Sequence, residues 1–302
     1  MASNRRALCV GINQYKNYPR SNLQGCVNDV ADMEDILTKY LGFKGSGGAD
    51  PDIVKLTDSQ ATKANIMAEL EAMVKEAKAG KYTYLVFSLS GHGTQVPDLS
   101  GDEPDRADEA FCPHDLAQKG NQWDPNYIIT DDELHDLFVQ LPENVLLEVY
   151  LDTCHSGTGL KLVDLLLDRA PRFMPPPTIA AYEALEGTAP RGLAKALTEK
   201  GITHHILWAA CRDNQVSADA RIGNSWHGAF TYYFCKVIRD CNNQLARKEV
   251  LKRVNAALKA GQYTQIAQLE CEATVRKELL GQAHTSKIRV DAPPAQAPTQ
   301  LV

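Results

Sequence analysis

No two cysteines in this sequence are spaced C-x-x-C; the eight, at positions 9, 26, 112, 154, 211, 235, 241 and 271, are scattered singly through 302 residues. That scatter excludes a zinc ribbon and a disulfide framework, which both need clustered thiols. Positive charge is not in excess either. Against 32 Lys and Arg stand 38 Asp and Glu, for a formal charge of −6, and no basic, aromatic-rich stripe appears locally, so nucleic acid and anionic membrane are not expected partners. Long apolar runs are also missing. The opening MASNRRALCVGI passes at once into polar NQYKNYPR, which is too short for a signal-peptide core or a membrane span, and the expected location is the cytosol. No internal repeat is evident.

What the chain has instead is 44% hydrophobic content, distributed as short strand-like runs between amphipathic segments. ALCVGI (7–12), YTYLVFSLSGHG (82–93), VLLEVYLDTCHSG (145–157) and HHILWAACR (204–212) are β-branched or aromatic and end in polar or glycine punctuation, with DIVKLTD (52–58) a weaker fifth. Helical spacing marks 29–43, 62–80 and 130–141. Near-continuous apolar strands alternating with such helices predict an α/β fold, a three-layer α/β/α sandwich around a mostly parallel sheet. Past residue 157 the pattern lapses into a proline-rich connection, then resumes with HHILWAACR, GAFTYYFCKVIRDC and KEVLKRVNAALKAG. The expected organisation is a larger segment (1–157), a linker (158–203), a smaller segment completing the same sheet (204–280), and a disordered tail (281–302) ending in DAPPAQAPTQLV.

Chemistry concentrates at two strand ends. In LVFSLSGHG the alternation of extended backbone puts Ser88, Ser90 and His92 on one side, and in VYLDTC it puts Tyr150, Asp152 and Cys154 on one side. Neighbouring strands would therefore present His92 and Cys154 together at the carboxyl edge, where open parallel sheets bind ligands. His155, adjacent in sequence, projects to the opposite face, so the distant His92 is the predicted base for a Cys154 nucleophile. Gly91 and Gly93 allow close backbone approach, and the amides of Gly93 and Cys154 are candidate donors to an oxyanion. A free thiol with a pKa of about 8.5 needs such a base at neutral pH. Most arbitrary Cys and His pairs are instead a buried thiol and a surface imidazole; the matching polar, glycine-flanked strand ends argue against that reading here. Asp152, a carboxylate ending a buried strand, requires a fixed donor or an arriving cation. Asp29 and Asp213 follow strand-like stretches and could add negative charge, although each alone fits a turn or helix start.

The motifs ALCVGINQY, LQGCVNDV, FSLSGHGTQ, GDEPDRADEAFCPHD, ITDDEL, LDTCHSGTG, AACRDNQVS and GAFTYYF, in that order, resemble the caspase-like cysteine peptidases of the caspase–haemoglobinase fold. Within them the match is to the metacaspases, whose prokaryotic form is the orthocaspase. The resemblance implies a peptidase with His92 and Cys154 as its dyad and with Asp29, Ser90 and Asp152 lining an acidic pocket for Arg or Lys at the cleaved bond. Its expected partners are proteins or peptides with such residues; inhibitor or activator proteins are unknown. No cofactor is required, but relatives that need calcium bind it through aspartates matching Asp108, Asp131 and Asp132. Here the fourth acidic position is Lys161, which argues against calcium dependence, and the acidic stretch 98–115 lacks EF-hand spacing. Two other classes compete with this reading: a caspase-like interaction or assembly module in a cell-death or antiviral cascade, and a hydrolase of small molecules. The intact dyad speaks against the first and the basic-specific pocket against the second. For oligomeric state the resemblance implies two alternatives: caspases pair through an edge strand, whereas metacaspases are usually monomers.

An enzyme selective for basic residues would also meet them in its own linker, at Arg169, Arg172, Arg191, Lys195 and Lys200. Arg191 or a neighbouring lysine is the favoured self-cleavage site, with Arg169 next. MPPP, following Arg172 closely, stiffens the chain and makes that bond less favoured.

Overall fold

Alternation decides which residues of the central strands face which layer. The computed structural model describes residues 4–97, 107–155, 169–185, 205–212 and 215–291. Strands β1 (Arg5–Gly11), β2 (Ile53–Thr57) and β3 (Tyr84–Ser90) are followed by the outlying β4 (Gly93–Pro97), β5 (Ala107–Phe111), the small hairpin β6 (Gln118–Lys119) and β7 (Gln122–Trp123), and β8 (Ile129–Thr130). Next come β9 (Leu146–Asp152), β10 (Arg169–Pro171), β11 (His205–Ala209), β12 (Ala218–Ile222), β13 (Ser225–Gly228), β14 (Gln268–Glu270), β15 (Ala283–His284) and β16 (Arg289–Val290). The helices are α1 (Cys26–Leu41), α2 (Lys63–Lys78), α3 (Asp131–Phe138), α4 (Ile179–Leu185), α5 (Ala229–Cys241) and α6 (Arg247–Ala260).

The main sheet has the order β14-β11-β9-β3-β1-β2, parallel throughout except for the antiparallel edge strand β14. Leu8, Val10, Leu85, Phe87, Leu147 and Val149 face a layer holding Ile66, Leu70 and Met73 of α2 with Leu134 and Phe138 of α3. Their neighbours Ala7, Cys9, Tyr84, Val86, Leu146 and Tyr150 face the other layer, against Met33 and Ile36 of α1, Phe230 and Phe234 of α5, and Val250 and Val254 of α6. The three-layer α/β sandwich is therefore present. All five expected strands lie in the one sheet, so the segments before and after the linker share a core.

One expectation fails at the C-terminal end. Residues 281–291, assigned to the tail, form the β15–β16 hairpin, and Ala283, Ile288 and Val290 are buried in the second layer. Three apolar side chains with access to a core outweigh the proximity of the prolines that follow. Residues 292–302 lie outside the described residues.

The feature that positions the site is the register of β3 and β9. Parallel pairing sets Ser90 beside Asp152 at their shared carboxyl end, so His92 and Cys154 each stand two residues past the paired positions. Above this edge sits a second sheet, β10-β12-β13, antiparallel throughout. Its strand β10 comes from the linker.

Candidate functional site

Beyond β3, the His92 imidazole is buried against the Tyr15 ring, with centroids 5.0 Å apart. Its Nε2 is 2.7 Å from the Ser21 carbonyl oxygen. A carbonyl only accepts, so Nε2 carries the proton, and Nδ1, buried without a hydrogen-bond partner, keeps its lone pair. Burial depresses the imidazole pKa from the usual 6.5 to about 4, although the Ser21 bond pulls it upward. The backbone amide of His92 donates to the Tyr15 hydroxyl at 2.7 Å.

His155 is placed elsewhere, as alternation predicts. Its ring meets Phe111 edge-on at 4.9 Å, its Nδ1 lies 3.3 Å from the Thr94 carbonyl, and its Nε2 lies 3.2 Å from Thr153 Oγ1. Burial lowers this imidazole to about 4 as well. Gly93 makes the neighbourhood feasible: a Cβ there would overlap the Cys154 carbonyl oxygen and stand 2.7 Å from His155 Nδ1.

Cys154 is fully buried, and its thiol donates to the Gln215 carbonyl at 2.9 Å. The Cys211 thiol shares that acceptor at 3.4 Å. Its hydrogen bond with Cys154, then burial, push the Cys211 thiol well up.

What covers Cys154 is the chain's own linker. β10 pairs antiparallel with β12, Ala170 opposite Asp219 and Pro171 opposite Ala218, and the Arg172 amide continues the ladder to the Ser217 carbonyl at 2.9 Å. The Arg172 carbonyl accepts from Gly93 N–H at 3.0 Å and from Cys154 N–H at 3.2 Å, the two amides singled out as oxyanion donors. Past it, Phe173 bridges to Gly93, and Met174 N–H donates to the Gly93 carbonyl at 2.9 Å.

The Arg172 side chain fills an acidic pocket and is fully buried there. Nη2 lies 2.7 Å from Asp29 Oδ2 and 3.0 Å from Asp219 Oδ1, and Nη1 lies 3.3 Å from Asp152 Oδ2. Each carboxylate is also held by fixed donors. Asp152 accepts from Ser217 Oγ at 2.6 Å and from Thr231 Oγ1 at 2.7 Å and N–H at 3.0 Å; Asp29 accepts from Gly228 N–H at 2.9 Å; Asp219 accepts from Gln24 N–H at 2.8 Å and Gly25 N–H at 3.0 Å. Burial and the Asp152 charge push the Asp29 carboxyl up to about 7, against the pull of Arg172. Gly228 supplies the floor, where a Cβ would overlap both Asp152 Oδ2 and Arg172 Nη1.

Asp29 and Asp152, predicted from sequence, thus meet at one cation. Ser90 is buried beside Asp152 in the register, but among the described residues the side chains binding the guanidinium are the three aspartates. Asp213, Lys161, Arg191, Lys195 and Lys200 lie outside the described residues. Asp219 escaped the sequence reading; its signal was the carboxylate in ADA, directly after the quoted AACRDNQVS. The prolines after Arg172 do not keep it from the pocket, because β10 enters from the other side and delivers it by strand pairing.

The proposed calcium residues lie in a separate place. β4, β5 and β8 form a small sheet, with Asp108 in β5 and with Asp131 and Asp132 opening α3 behind a Thr130–Glu133 capping box. Asp108 and Asp132 line a cavity of about 530 Å³ that also includes Trp123, Ile128 and Glu133. Among the described residues, no group of three or more His, Cys, Asp or Glu converges closely enough to hold a metal ion.

Comparison with known proteins shows the family and the fold. Residues 5–163 match the family model described as "Metacaspase, peptidase C14 domain". The chain is 33% identical to Metacaspase-1A of Aspergillus clavatus over 91% of its own length and 68% of the relative's, and 32% identical to Metacaspase-1 of Ajellomyces capsulatus over 91% and 82%. Among solved structures, a Geobacter sulfurreducens protein superposes with a TM-score of 0.57 at 25% identity, covering 89% of this chain and 92% of that one. Caspase-1 of Spodoptera frugiperda superposes with a TM-score of 0.51 at 10% identity over 89% and 87%, which speaks to the fold alone.

Proposed function

Since this chain belongs to the metacaspase family and is a caspase-like cysteine endopeptidase, we propose that it cuts peptide bonds after arginine or lysine with Cys154 as nucleophile and His92 as base, and that its own Arg172–Phe173 bond is such a substrate. One observation carries this reading: Arg172 sits among Asp29, Asp152 and Asp219 while its carbonyl accepts from both Gly93 and Cys154 amides. A basic side chain and the carbonyl beside it are held as a substrate would be held.

The chemistry then runs as acyl transfer. His92 Nδ1 takes the thiol proton, the sulfur attacks the Arg172 carbonyl carbon, and the two amides stabilise the oxyanion. Collapse of the tetrahedral intermediate breaks the bond to Phe173, whose nitrogen receives the proton from His92, and leaves a thioester at Cys154. Water activated by the same imidazole hydrolyses the thioester. In the closed arrangement the thiol is turned to the Gln215 carbonyl and the imidazole is a weak base, so the thiol must rotate first and self-cleavage is slow. Until the segment leaves, it also keeps other substrates out of the pocket.

Purified wild-type protein should split into residues 1–172 and 173–302, with the second fragment beginning FMPPP on N-terminal sequencing. Cys154→Ala should stay whole. A new N-terminus elsewhere in the linker, with the 172–173 bond intact in active enzyme, would overturn the assignment of Arg172.

A further inference from the structure

We infer that the cleft has a second cation-selecting position, for the residue three places before the arginine at the cleaved bond, built from the face of Tyr263 and the carbonyls of Gly261 and Gln262. The inference rests on reading Arg169–Arg172 as a bound substrate strand. Along that strand Arg169 and Arg172 fall on opposite faces, so while Arg172 enters the acidic pocket, Arg169 reaches the end of α6. Its Nη2 donates to the Gly261 carbonyl at 2.6 Å and its Nη1 to the Gln262 carbonyl at 2.9 Å. The guanidinium carbon lies 3.8 Å from the centre of the Tyr263 ring.

Each part of this seat has a structural cause. Gly261 and Gln262 directly follow the last residue of α6, where carbonyls lack helical partners and the helix dipole is negative. Gln262 has φ +60, a left-handed turn that brings successive carbonyls round to one ligand. Gly261 has no room for a side chain, since a Cβ would stand 2.7 Å from Tyr263 Cε2 and 2.8 Å from the Tyr233 hydroxyl. The Tyr263 ring is braced edge-on by Tyr233 at 5.9 Å. Burial pushes its phenol up to about 12, so the ring is neutral in use and attracts the cation through its π face. α6 is itself tied down by the buried Arg247–Glu148 pair, 3.4 Å apart.

The two basic positions differ in kind. The first surrounds its cation with buried carboxylates and demands charge; the second offers dipoles and a ring, and therefore grades substrates. A planar guanidinium satisfies two carbonyls and a ring face at once, whereas an ammonium cannot, so arginine should be preferred to lysine. The class of preferred substrate is a segment with arginine at the cut and a second arginine three residues earlier.

The test uses self-cleaved enzyme and fluorogenic tetrapeptides Arg-Ala-Pro-Arg and citrulline-Ala-Pro-Arg, citrulline being an uncharged near-isostere. Wild type should favour the first by roughly 3- to 30-fold in kcat/KM. Tyr263→Leu should bring the ratio close to one while the enzyme still rejects citrulline at the cut, and Tyr263→Phe should keep the ratio. Equal use of both peptides by a wild type that demands arginine at the cut would overturn this inference and leave the first pocket standing. Indifference to citrulline at both positions would overturn both.

Discussion

Arg172 and Asp29, 143 residues apart in sequence, form a fully buried ion pair with Nη2 2.7 Å from Oδ2. The pair ties the linker to the first turn of α1, and with Asp152 and Asp219 it makes a pocket whose stability depends on the cation staying in place. Removing one partner of a buried pair strands the other, typically at about 3–5 kcal/mol.

Arg172→Gln should therefore lower the thermal midpoint and also remove any lag before hydrolysis of Arg-terminated peptides, because the site starts open. Adding an arginine-ended peptide ligand should raise the midpoint of the variant more than that of the uncut Cys154→Ala protein. An unchanged midpoint together with an unchanged lag would show that the segment does not hold the pocket.

Gly228→Ala isolates sterics from backbone strain. Gly228 has φ −68, which any residue adopts, so the added methyl acts only by displacing Asp152 and the guanidinium. Hydrolysis after arginine should drop by at least about 100-fold, as expected when a bound group is misplaced by about 1 Å, with near-ultraviolet circular dichroism preserved. Activity within threefold of wild type would mean the pocket floor lies elsewhere.

Cys154→Ala and His92→Ala should each abolish peptidase activity, whereas His155→Ala should retain most of it. His155 spends its ring nitrogens on Thr94 and Thr153. If His155→Ala is as inactive as Cys154→Ala while His92→Ala turns over substrate, the assignment of the base fails.

The separate placement of the two histidines was legible in the sequence because a strand alternates strictly and β3 pairs with β9. The sheet and its helices followed from similar local rules, whereas the meeting of Asp29 with Asp152 was implied by the metacaspase resemblance. Asp219 and Gly228 followed from neither, since they arrive from a second sheet whose position no periodicity encodes. The seat of Arg172 in the pocket was not legible for a related reason. Flanking prolines describe the stiffness of a segment, but its docking is set by the edge of β12, more than forty residues further along the chain.

Chelation should leave most of the peptidase activity. The start of α3 is already fixed by the capping box and the Lys63–Glu133 pair at 2.6 Å. Complete loss of activity in a chelator, restored by calcium, would refute this.

Acid should destabilise the fold through its buried imidazoles. His92 and His155 drop from 6.5 to about 4 on folding, so between those values the unfolded chain binds protons that the folded chain refuses. Their stabilising contribution is complete above 6.5 and lost as pH falls through about 4. Asp29, raised from 3.8 to about 7, acts in the opposite direction, being most favourable below 3.8 and lost as pH rises through 7. Two imidazoles against one carboxyl leave a net loss on acidification. Urea midpoints should fall between pH 6.5 and 4, and His155→Gln should flatten that slope; an equal slope in the variant would contradict the buried, neutral state of His155.

The pairing of β10 with β12 also bears on solubility. When the linker departs, β12 keeps β13 on one side but shows a row of bare amides and carbonyls on the other. An open edge of that sort templates other extended chains regardless of their side chains. Under the proposed self-cleavage, the enzyme freed of its linker should be the form most prone to self-association, and a culture that accumulates uncut protein should store it in the form that keeps best.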